Sequence, residues 1–225
     1  MEVEILYRPA YSLAVIRLAG HEEVRVEAGS MVSMSQDVAI QTQATGGLLK
    51  SLARSTLGGE SFFQNTFRAP AEGGEITVAP ALPGDLAVLE VQGGPLLVQS
   101  GSFVAAEGGL QIDTTWGGAR AFFGAQGLIM LRVSGEGKLV VSAYGAIHAK
   151  DLAAGEVYTV DTGHLVAFGA DMGFKVRPVG RMKSLFLSGE GLVVDLTGPG
   201  KALLQTRSVD AFLSWLLPKL PARRD

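Results

Sequence analysis

Two histidines and an aspartate are the residues of this chain whose types could hold a metal. His148 ends one strand-like run, and Asp161 and His164 begin the next run. Two imidazoles with one carboxylate form a ligand set of transition-metal sites. The spacing matches no known ligand motif, and two related segments carry serine where His164 stands. We therefore predict a hydrogen-bonding role for His164 in a turn, with a metal or small-ligand site at all three residues as the alternative.

Other catalytic chemistries lack their sequence signatures. The chain contains no cysteine, which excludes thiolate nucleophiles and cysteine-ligated metals. It has no GxSxG nucleophile elbow and no HExxH zinc motif. The run from Gly198 to Lys201 resembles a phosphate-binding loop only superficially, because Asp195 and Ala202 occupy positions that require glycine and Ser or Thr. We predict that the protein is not an enzyme and carries no cofactor.

A set of basic residues follows glycines at corresponding places in the chain: Lys50, Arg120, Arg181 and Lys183. Lys50, Arg120 and Lys183 could together contact an anion or an acidic lipid. Solvated loop charges are the favoured interpretation. The net charge of −3 and a pI near 5.7 argue against broad attraction to nucleic acid, so no nucleic-acid partner is expected.

Short strands must position these residues. Runs rich in Val, Ile, Leu, Tyr and Thr recur between Gly or Pro and predict an all-β fold: YSLAVIRL, EITVAP, LAVLEV, KLVVSAY and GLVVDL. Three segments around Gly29, Gly101 and Gly163 read alike: VEAGSMVSM, VQSGSFVAA and VDTGHLVAF. A second block recurs after each of them, which predicts an internal repeat.

The repeat predicts three sub-repeats at about 20–90, 91–153 and 154–207 within a single all-β domain, residues 1–207. Each unit is too small to close its own core, so the three should pack around a pseudo-threefold axis. We predict equivalent turns at Gly29, Gly101 and Gly163, where glycine allows positive φ or a close backbone approach.

The C-terminal segment 208–225 is the only clear helix. Ser208 is the expected N-cap, Pro218 the expected stop, and apolar residues follow at helical spacing: Val209, Phe212, Leu213, Leu216 and Leu217. We predict a partner surface at Phe212, Leu213, Trp215 and Leu216. The helix should pack on the β-domain, with Leu213 and Leu216 in the core, or dock on another subunit or partner.

The location predicted from the sequence is the cytoplasm. The longest stretch without a charge, 91–106, is shorter than the roughly 20 apolar residues of a spanning helix. The acidic start MEVEILYRP does not read as a secretory signal. A membrane-surface contact has weak support from the basic tail, which contains Lys219, Arg223 and Arg224.

The recurring blocks resemble the altered-inheritance-of-mitochondria family. The resemblance covers residues 23–207 and is carried by GSMVSM, GGESFFQNTF, LPGDL, GEGKLVVSAYGAIH, VDTGHLVAF and KSLFLSGEGLVVDLTGPGKALLQTR. It implies a pseudo-threefold all-β protein in which each unit is similar to the tryptophan-binding RNA attenuation protein, a double-stranded β-helix-like fold. Mitochondrial relatives are associated with the inner membrane and cristae organisation. The resemblance supplies no reaction or catalytic residue, and the RNA-binding role does not transfer, because a fold does not fix a function.

These observations predict a non-enzymatic scaffold or interaction protein whose partner is another protein, a second copy of the chain included. A small-ligand or metal-binding β-module is the first alternative, and a nucleic-acid binder is the second.

Overall fold

Three groups of six strands make up most of the chain. The computed structural model describes residues 1–41, 64–113, 129–179 and 192–221. A first strand, β1 (Glu2–Leu6), precedes the groups. The first group is β2 (Leu13–Leu18), β3 (Glu23–Glu27), β4 (Met31–Met34), β5 (Ala39–Gln41), β6 (Gln64–Arg68) and β7 (Gly74–Val78). The second group is β8 (Gly84–Val91), β9 (Leu96–Gln99), β10 (Phe103–Glu107), β11 (Gln111–Asp113), β12 (Met130–Ser134) and β13 (Gly137–Tyr144).

The third group leads into the C-terminal helix. Its strands are β14 (Ile147–Leu152), β15 (Val157–Asp161), β16 (Leu165–Gly169), β17 (Gly173–Pro178), β18 (Leu192–Thr197) and β19 (Gly200–Gln205). The helix α1 (Val209–Leu216) continues into a short 3-10 turn, Leu217–Lys219. The predicted all-β class and the short C-terminal helix are therefore confirmed, with Ser208 capping the helix by accepting from the N–H of Ala211.

Strand pairing follows the same scheme in every group. The first strand pairs with the sixth, the second with the fifth, the third with the sixth and the fourth with the fifth, all antiparallel. Each group begins at β2, β8 or β14, one strand earlier than the boundaries predicted at about 20, 91 and 154. The leading strands β2 and β8 share a Leu-Ala-Val run, at 13–15 and 86–88, but β14 lacks it, so a comparison of all three units left the leading strands out.

Neighbouring groups are joined by strand pairing. β3 of the first group pairs with β10 of the second, and β9 of the second pairs with β16 of the third. The resulting six-stranded sheets have the orders β5-β6-β3-β10-β13-β8 and β11-β12-β9-β16-β19-β14. A four-stranded sheet, β1-β2-β7-β4, and a three-stranded sheet, β15-β18-β17, complete the described strands.

The third strand of every group carries a bulge at the same place. Its register against the sixth strand shifts at Val32 in β4, at Val104 in β10 and at Val166 in β16. A bulge inserts an unpaired residue and increases the local twist of the strand. Because the irregularity recurs at matching positions, it belongs to the repeated scheme and is no local defect.

The core is shared between groups. One apolar cluster combines first-group residues such as Ile16 and Phe67 with Leu86 and Val140 of the second group. The two other clusters each combine second-group with third-group residues, and one of them joins Phe103 to Val166. Each cluster therefore loses part of its cover if two groups separate.

The three predicted glycine turns share a place in the scheme but differ in backbone conformation. Each glycine lies between the second and third strands of its group. Gly29 has φ of 92°, whereas Gly101 and Gly163 lie in 3-10 turns, Ser100–Ser102 and Thr162–His164, and are not among the glycines with positive φ. The predicted equivalence of the three turns is therefore wrong in backbone conformation, since Gly29 takes the positive φ that glycine allows and Gly101 and Gly163 do not. At Gly163 the close approach is that of the Ser208 hydroxyl, which would lie 2.8 Å from an added Cβ.

An ion pair fastens the loop between β1 and β2 to the second group. The Arg8 guanidinium donates to both carboxylate oxygens of Asp85 at 2.9 Å, and the Ser12 hydroxyl donates to the same carboxylate at 3.0 Å. The N–H of Leu86 also donates to it. Burial alone raises the pKa of the Asp85 carboxyl, but the bonds from Arg8, Leu86 and Ser12 outweigh burial and hold that pKa below its ordinary value.

Replacing this carboxylate should destabilise the protein in a pH-dependent way. Asp85→Asn should lower the free energy of unfolding by about 1–3 kcal/mol at neutral pH, since buried donors lose their charged acceptor. A lowered pKa stabilises the fold above the unfolded-state value, about 3.9, and that contribution disappears as pH falls through the folded-state value. Urea unfolding should therefore show the difference shrinking below about pH 4.

The control is Glu4→Gln, which removes a surface ion pair with Arg17 in which both side chains are about half exposed. It should cost less than about 1 kcal/mol. An equal loss for the two variants, or a difference for Asp85→Asn that does not change with pH, would contradict this account.

The glycine turns give a second matched pair. Gly29→Ala forces a side chain into the left-handed region and should destabilise by about 1–2 kcal/mol. Gly101→Ala should change stability by less than about 0.5 kcal/mol, because its φ is not positive and a Cβ there meets nothing within 4 Å. Thermal and urea unfolding check both, and comparable losses would show that the two turns impose the same constraint.

Candidate interaction surface

A buried glutamine fixes the point where the chain leaves the β-domain. Gln205, the last residue of β19, accepts from the N–H of Tyr144 through its side-chain oxygen at 2.9 Å. Its side-chain amide donates to the Gly163 carbonyl at 2.8 Å, and its own backbone carbonyl lies 2.7 Å from Nδ1 of His164. The predicted hydrogen-bonding position of His164 is thus part of the anchor that precedes the helix.

Two more residues extend this anchor. The N–H of Thr206 donates to the Ala146 carbonyl at 3.1 Å, and the Thr206 hydroxyl accepts from the N–H of Ala146. The N–H of Arg207 donates to the Tyr144 carbonyl at 3.2 Å. The first residues after β19 therefore keep backbone pairing with the segment that joins the second and third groups, which sets the direction in which α1 leaves.

An aromatic cluster seats the helix on the β-domain. The ring of Phe212 meets Tyr144 edge-on, with centroids 6.0 Å apart, and stacks on Trp215 at 6.2 Å. The ammonium group of Lys219 lies 5.2 Å from the centroid of Trp215, within the range of a cation–π contact. Phe212 and Leu216 are the half-buried residues of α1, so one narrow side of the helix contacts the domain.

The rest of α1 faces solvent. No residue of the helix is buried, and the exposed fractions of Trp215 and Leu217 reach 60% and 61%. Val209, Leu213 and Leu220 are also exposed. The expectation that Leu213 and Leu216 become core residues is therefore wrong. The contact of Phe212 with Tyr144 and the partial burial of Leu216 cover only one side of the stripe, and its other residues stay exposed and open to a partner.

Two exposed tyrosines lie at the same end of the β8–β13 pair as the helix. Tyr7 and Tyr11 belong to the loop before Ser12, and the N–H of Ser12 donates to the Gly84 carbonyl. Gly84 is the register partner of Tyr144, which contacts Phe212. We name the exposed apolar residues of this end the terminal face: Tyr7, Tyr11, Val209, Leu213, Trp215, Leu217 and Leu220.

The predicted metal site is not formed. His148 is exposed on β14, Asp161 accepts from the N–H of Gly163 at 2.7 Å, and His164 is directed at the Gln205 carbonyl. Across the described parts of the chain, no group of three or more His, Asp or Glu side chains is arranged to hold a metal ion. Asp161 thus caps a turn. The alternative in which His148, Asp161 and His164 together bind a metal is wrong.

The predicted anion contacts lie outside the described residues. This applies to Lys50, Arg120, Arg181 and Lys183, and to Arg223 and Arg224 of the basic tail. Of the basic residues near α1, the structure describes Arg207 and Lys219.

Comparison with known proteins places the chain in a family. The model of the mitochondrial biogenesis AIM24 family matches residues 3–207. The chain belongs to the AIM24 family. An uncharacterized protein of Streptococcus pyogenes serotype M6 is 27% identical over 94% of this chain and 88% of its own length. A crystal structure of a Streptococcus pyogenes protein superposes with a TM-score of 0.81 at 25% identity, covering 97% of this chain and 99% of that one.

The family match ends at residue 207, so α1 lies just beyond the matched segment. Among the described residues, no helix, α1 included, is long and apolar enough to cross a bilayer.

Sequence reasoning missed the residues that position α1. Tyr144 and Gln205 close two of the apolar runs that it took for ordinary strands. Their signal is a polar or aromatic residue at the end of such a run, followed by glycine after Tyr144 and threonine after Gln205. Asp85 had a clearer signal, since it is a lone acid next to a glycine at the start of an apolar strand.

The seat of the helix can be tested by comparing two alanine variants. Phe212→Ala removes both ring contacts, each worth about 0.5–1.5 kcal/mol, and should release α1 while the β-domain stays folded. Hydrogen exchange of the α1 amides should then accelerate at least about tenfold. Leu213→Ala also places alanine in α1, but it removes an exposed side chain. Hydrogen exchange of the α1 amides should therefore be unchanged in this variant. Equal acceleration in the two variants would show that Phe212 does not seat the helix.

Proposed function

We propose that this protein is a non-enzymatic scaffold or interaction protein that binds a partner protein through its terminal face. The observation that carries the proposal is the exposed apolar stripe of α1 on a body whose strands are extensively paired. An exposed contiguous patch of this kind is typical of an interaction site. An amphipathic helix that offers residues at i, i+4 and i+8 is a common recognition element for a partner groove.

The composition of the terminal face supports a protein partner. Trp and Tyr are enriched at protein interfaces, where they add large contact area with little loss of side-chain entropy. Trp215 is further restricted by its contacts with Phe212 and Lys219, so less freedom remains to be lost on binding. Val209, Leu213 and Leu217 then provide an aliphatic strip beside the aromatic group.

A membrane surface fits less well. Arg207 and Lys219 are the described cations next to the exposed stripe, and each basic group near an anionic membrane contributes only about 1 kcal/mol. The chain carries a net charge of −3, which opposes approach to an anionic surface.

We propose a cytoplasmic location for the protein, because a chain without cysteine suits a reducing compartment.

The terminal face can be tested by site-specific photo-crosslinking in the native cell. A photoreactive amino acid at Leu213 should yield a discrete protein adduct, because this position lies in the centre of the stripe. The matched control is the same amino acid at Asp210, on the polar side of the first turn of α1. An adduct at both positions, or at neither, would contradict a specific interface.

The paired substitution Leu213→Asp with Leu217→Asp should abolish the adduct formed from a photoreactive residue at Trp215. Since these leucines are exposed, the melting temperature should change by less than about 2 °C. Retention of the adduct, cross-linking to lipid alone, or loss of a catalytic turnover in the double variant would each count against a protein-binding role.

A further inference from the structure

A tyrosine in a costly backbone conformation begins the loop between β1 and β2. Tyr7 has φ of 58°, in the left-handed region that residues with a bulky side chain rarely adopt. The Cβ atom lies too close to the following carbonyl oxygen in this region, so the conformation lowers the stability of the fold. Among the described residues other than glycine, only His21, with φ of 64°, shares this conformation. Glycine at position 7 would therefore strain the fold less than tyrosine does.

The fold gains no side-chain contact in return for this strain. The side chain of Tyr7 is 71% exposed, and that of Tyr11, at the other end of the loop, is 77% exposed. Within the described chain, neither side chain makes a hydrogen bond or a ring contact. Two large rings and two phenol hydroxyls thus stand in water, and residues held in costly conformations are typical of functional sites.

The loop that carries the two rings is held at both ends. Tyr7 precedes Arg8, whose guanidinium makes two bonds to the buried carboxylate of Asp85. Tyr11 precedes Ser12, whose N–H and hydroxyl both bond to the start of β8. Each tyrosine therefore lies next to a residue that is fastened to the second group. A loop held in this way has less conformational entropy to lose when it binds a ligand.

The loop offers a ligand neither a free charge nor a strand edge. Arg8 is the one charged residue of the loop, and its guanidinium is committed to Asp85. An acidic or phosphorylated segment, which requires an uncompensated cation, is therefore a poor ligand. The loop belongs to no strand, so it cannot pair with a strand of a partner. A helix docks in an apolar groove, whereas both rings here are exposed and carry a hydroxyl at the tip.

A proline-rich segment matches what the two tyrosines do offer. In the polyproline II conformation the backbone has no internal hydrogen bonds, so its carbonyl groups can accept from the tyrosine hydroxyls. Surfaces lined with aromatic rings bind such segments, because prolyl rings pack on the flat ring faces and the segment is ordered before it binds. The chemistry of the loop therefore selects this class of peptide.

We propose that Tyr7 and Tyr11 bind a proline-rich segment of the partner protein in the polyproline II conformation. The ion pair between Arg8 and Asp85 holds the loop in the binding conformation, and the strain at Tyr7 is the cost of directing its ring to the ligand. The proposal rests on the proposed function, since the loop belongs to the terminal face. It adds the chemistry of the segment that the partner contributes beside α1.

Titration with a decaproline peptide tests the proposal directly. With ring-labelled tyrosine, the NMR signals of Tyr7 and Tyr11 should shift and saturate as the peptide is added. Tyr158 is the internal control, because its ring lies under the Lys150 ammonium group in a different sheet and should not shift. A flexible Gly–Ser peptide of equal length should shift none of the three signals. Absence of saturable shifts with decaproline, or equal shifts with the Gly–Ser peptide, would overturn the proposal.

Two glycine variants separate a binding role from a structural role. Tyr7→Gly removes the ring and relieves the strain, so it should weaken decaproline binding at least about tenfold while the melting temperature does not fall. His21→Gly makes the same exchange at the other exposed residue with positive φ and should leave decaproline binding unchanged. Unchanged affinity in Tyr7→Gly would refute the proposal. A lower melting temperature in Tyr7→Gly would also refute it, because the ring would then serve the fold.

Arg8→Gln tests the positioning role of the ion pair, since it keeps both rings. Decaproline binding should weaken at least about threefold, because the released loop populates the binding conformation only part of the time. Unchanged affinity would show that the ion pair does not position the rings.

The Leu213→Asp, Leu217→Asp variant distinguishes the two interfaces, and it should bind decaproline as the unaltered chain does. Tyrosine shifts without a cross-linked adduct at Leu213 would count against the helix interface of the proposed function. An adduct at Leu213 without tyrosine shifts would overturn the proline-rich ligand alone.

Discussion

Antiparallel pairing between neighbouring groups holds the β-domain together. Each apolar cluster draws residues from two groups, and the strands that carry those residues are joined at β3–β10 and β9–β16. The backbone bonds at these junctions also bring Val26 against Ala105 and Val98 against Ala167, pairs in which all four side chains are buried. An alanine on one strand opposite a valine on the other allows the two halves of each six-stranded sheet, one from each group, to pack without a gap.

The architecture explains why the ends of the chain need separate fastening. β1 and β2 extend the four-stranded sheet of the first group, far along the chain from the second group, and the Arg8–Asp85 ion pair ties their connecting loop to β8. At the other end, Gln205 secures the exit from β19 before α1 begins. Each fastening centres on one buried side chain, Asp85 or Gln205, that makes several hydrogen bonds, because an incompletely paired polar group at such a place would cost more than it contributes.

The sequence was sufficient for the strand-rich class, the helix and its cap, and the bonding role of His164. Those features depend on local chemistry: alternating apolar residues, Ser208 before an apolar stripe, and a polar residue beside a turn glycine. Periodicity shows that a helix has an apolar stripe but does not show what covers it. The exposure of Leu213 depends on how the helix packs on the domain, so the sequence could not predict it. The same limit applies to the conformations of Gly101 and Gly163, since glycine permits positive φ without requiring it.

The turn that precedes the third strand shows how copies of a unit can diverge. In the first two groups this turn contains Ser30 and Ser102, whose hydroxyls bond to Glu27 and Gln99 just before the turn glycine. In the third group His164 takes that place and reaches the Gln205 carbonyl instead. The third group therefore has an attachment at this turn that the turns of the first two groups lack, while the strand pairing is the same in all three groups. A single turn residue is thus enough to give one unit of a repeated fold a contact of its own.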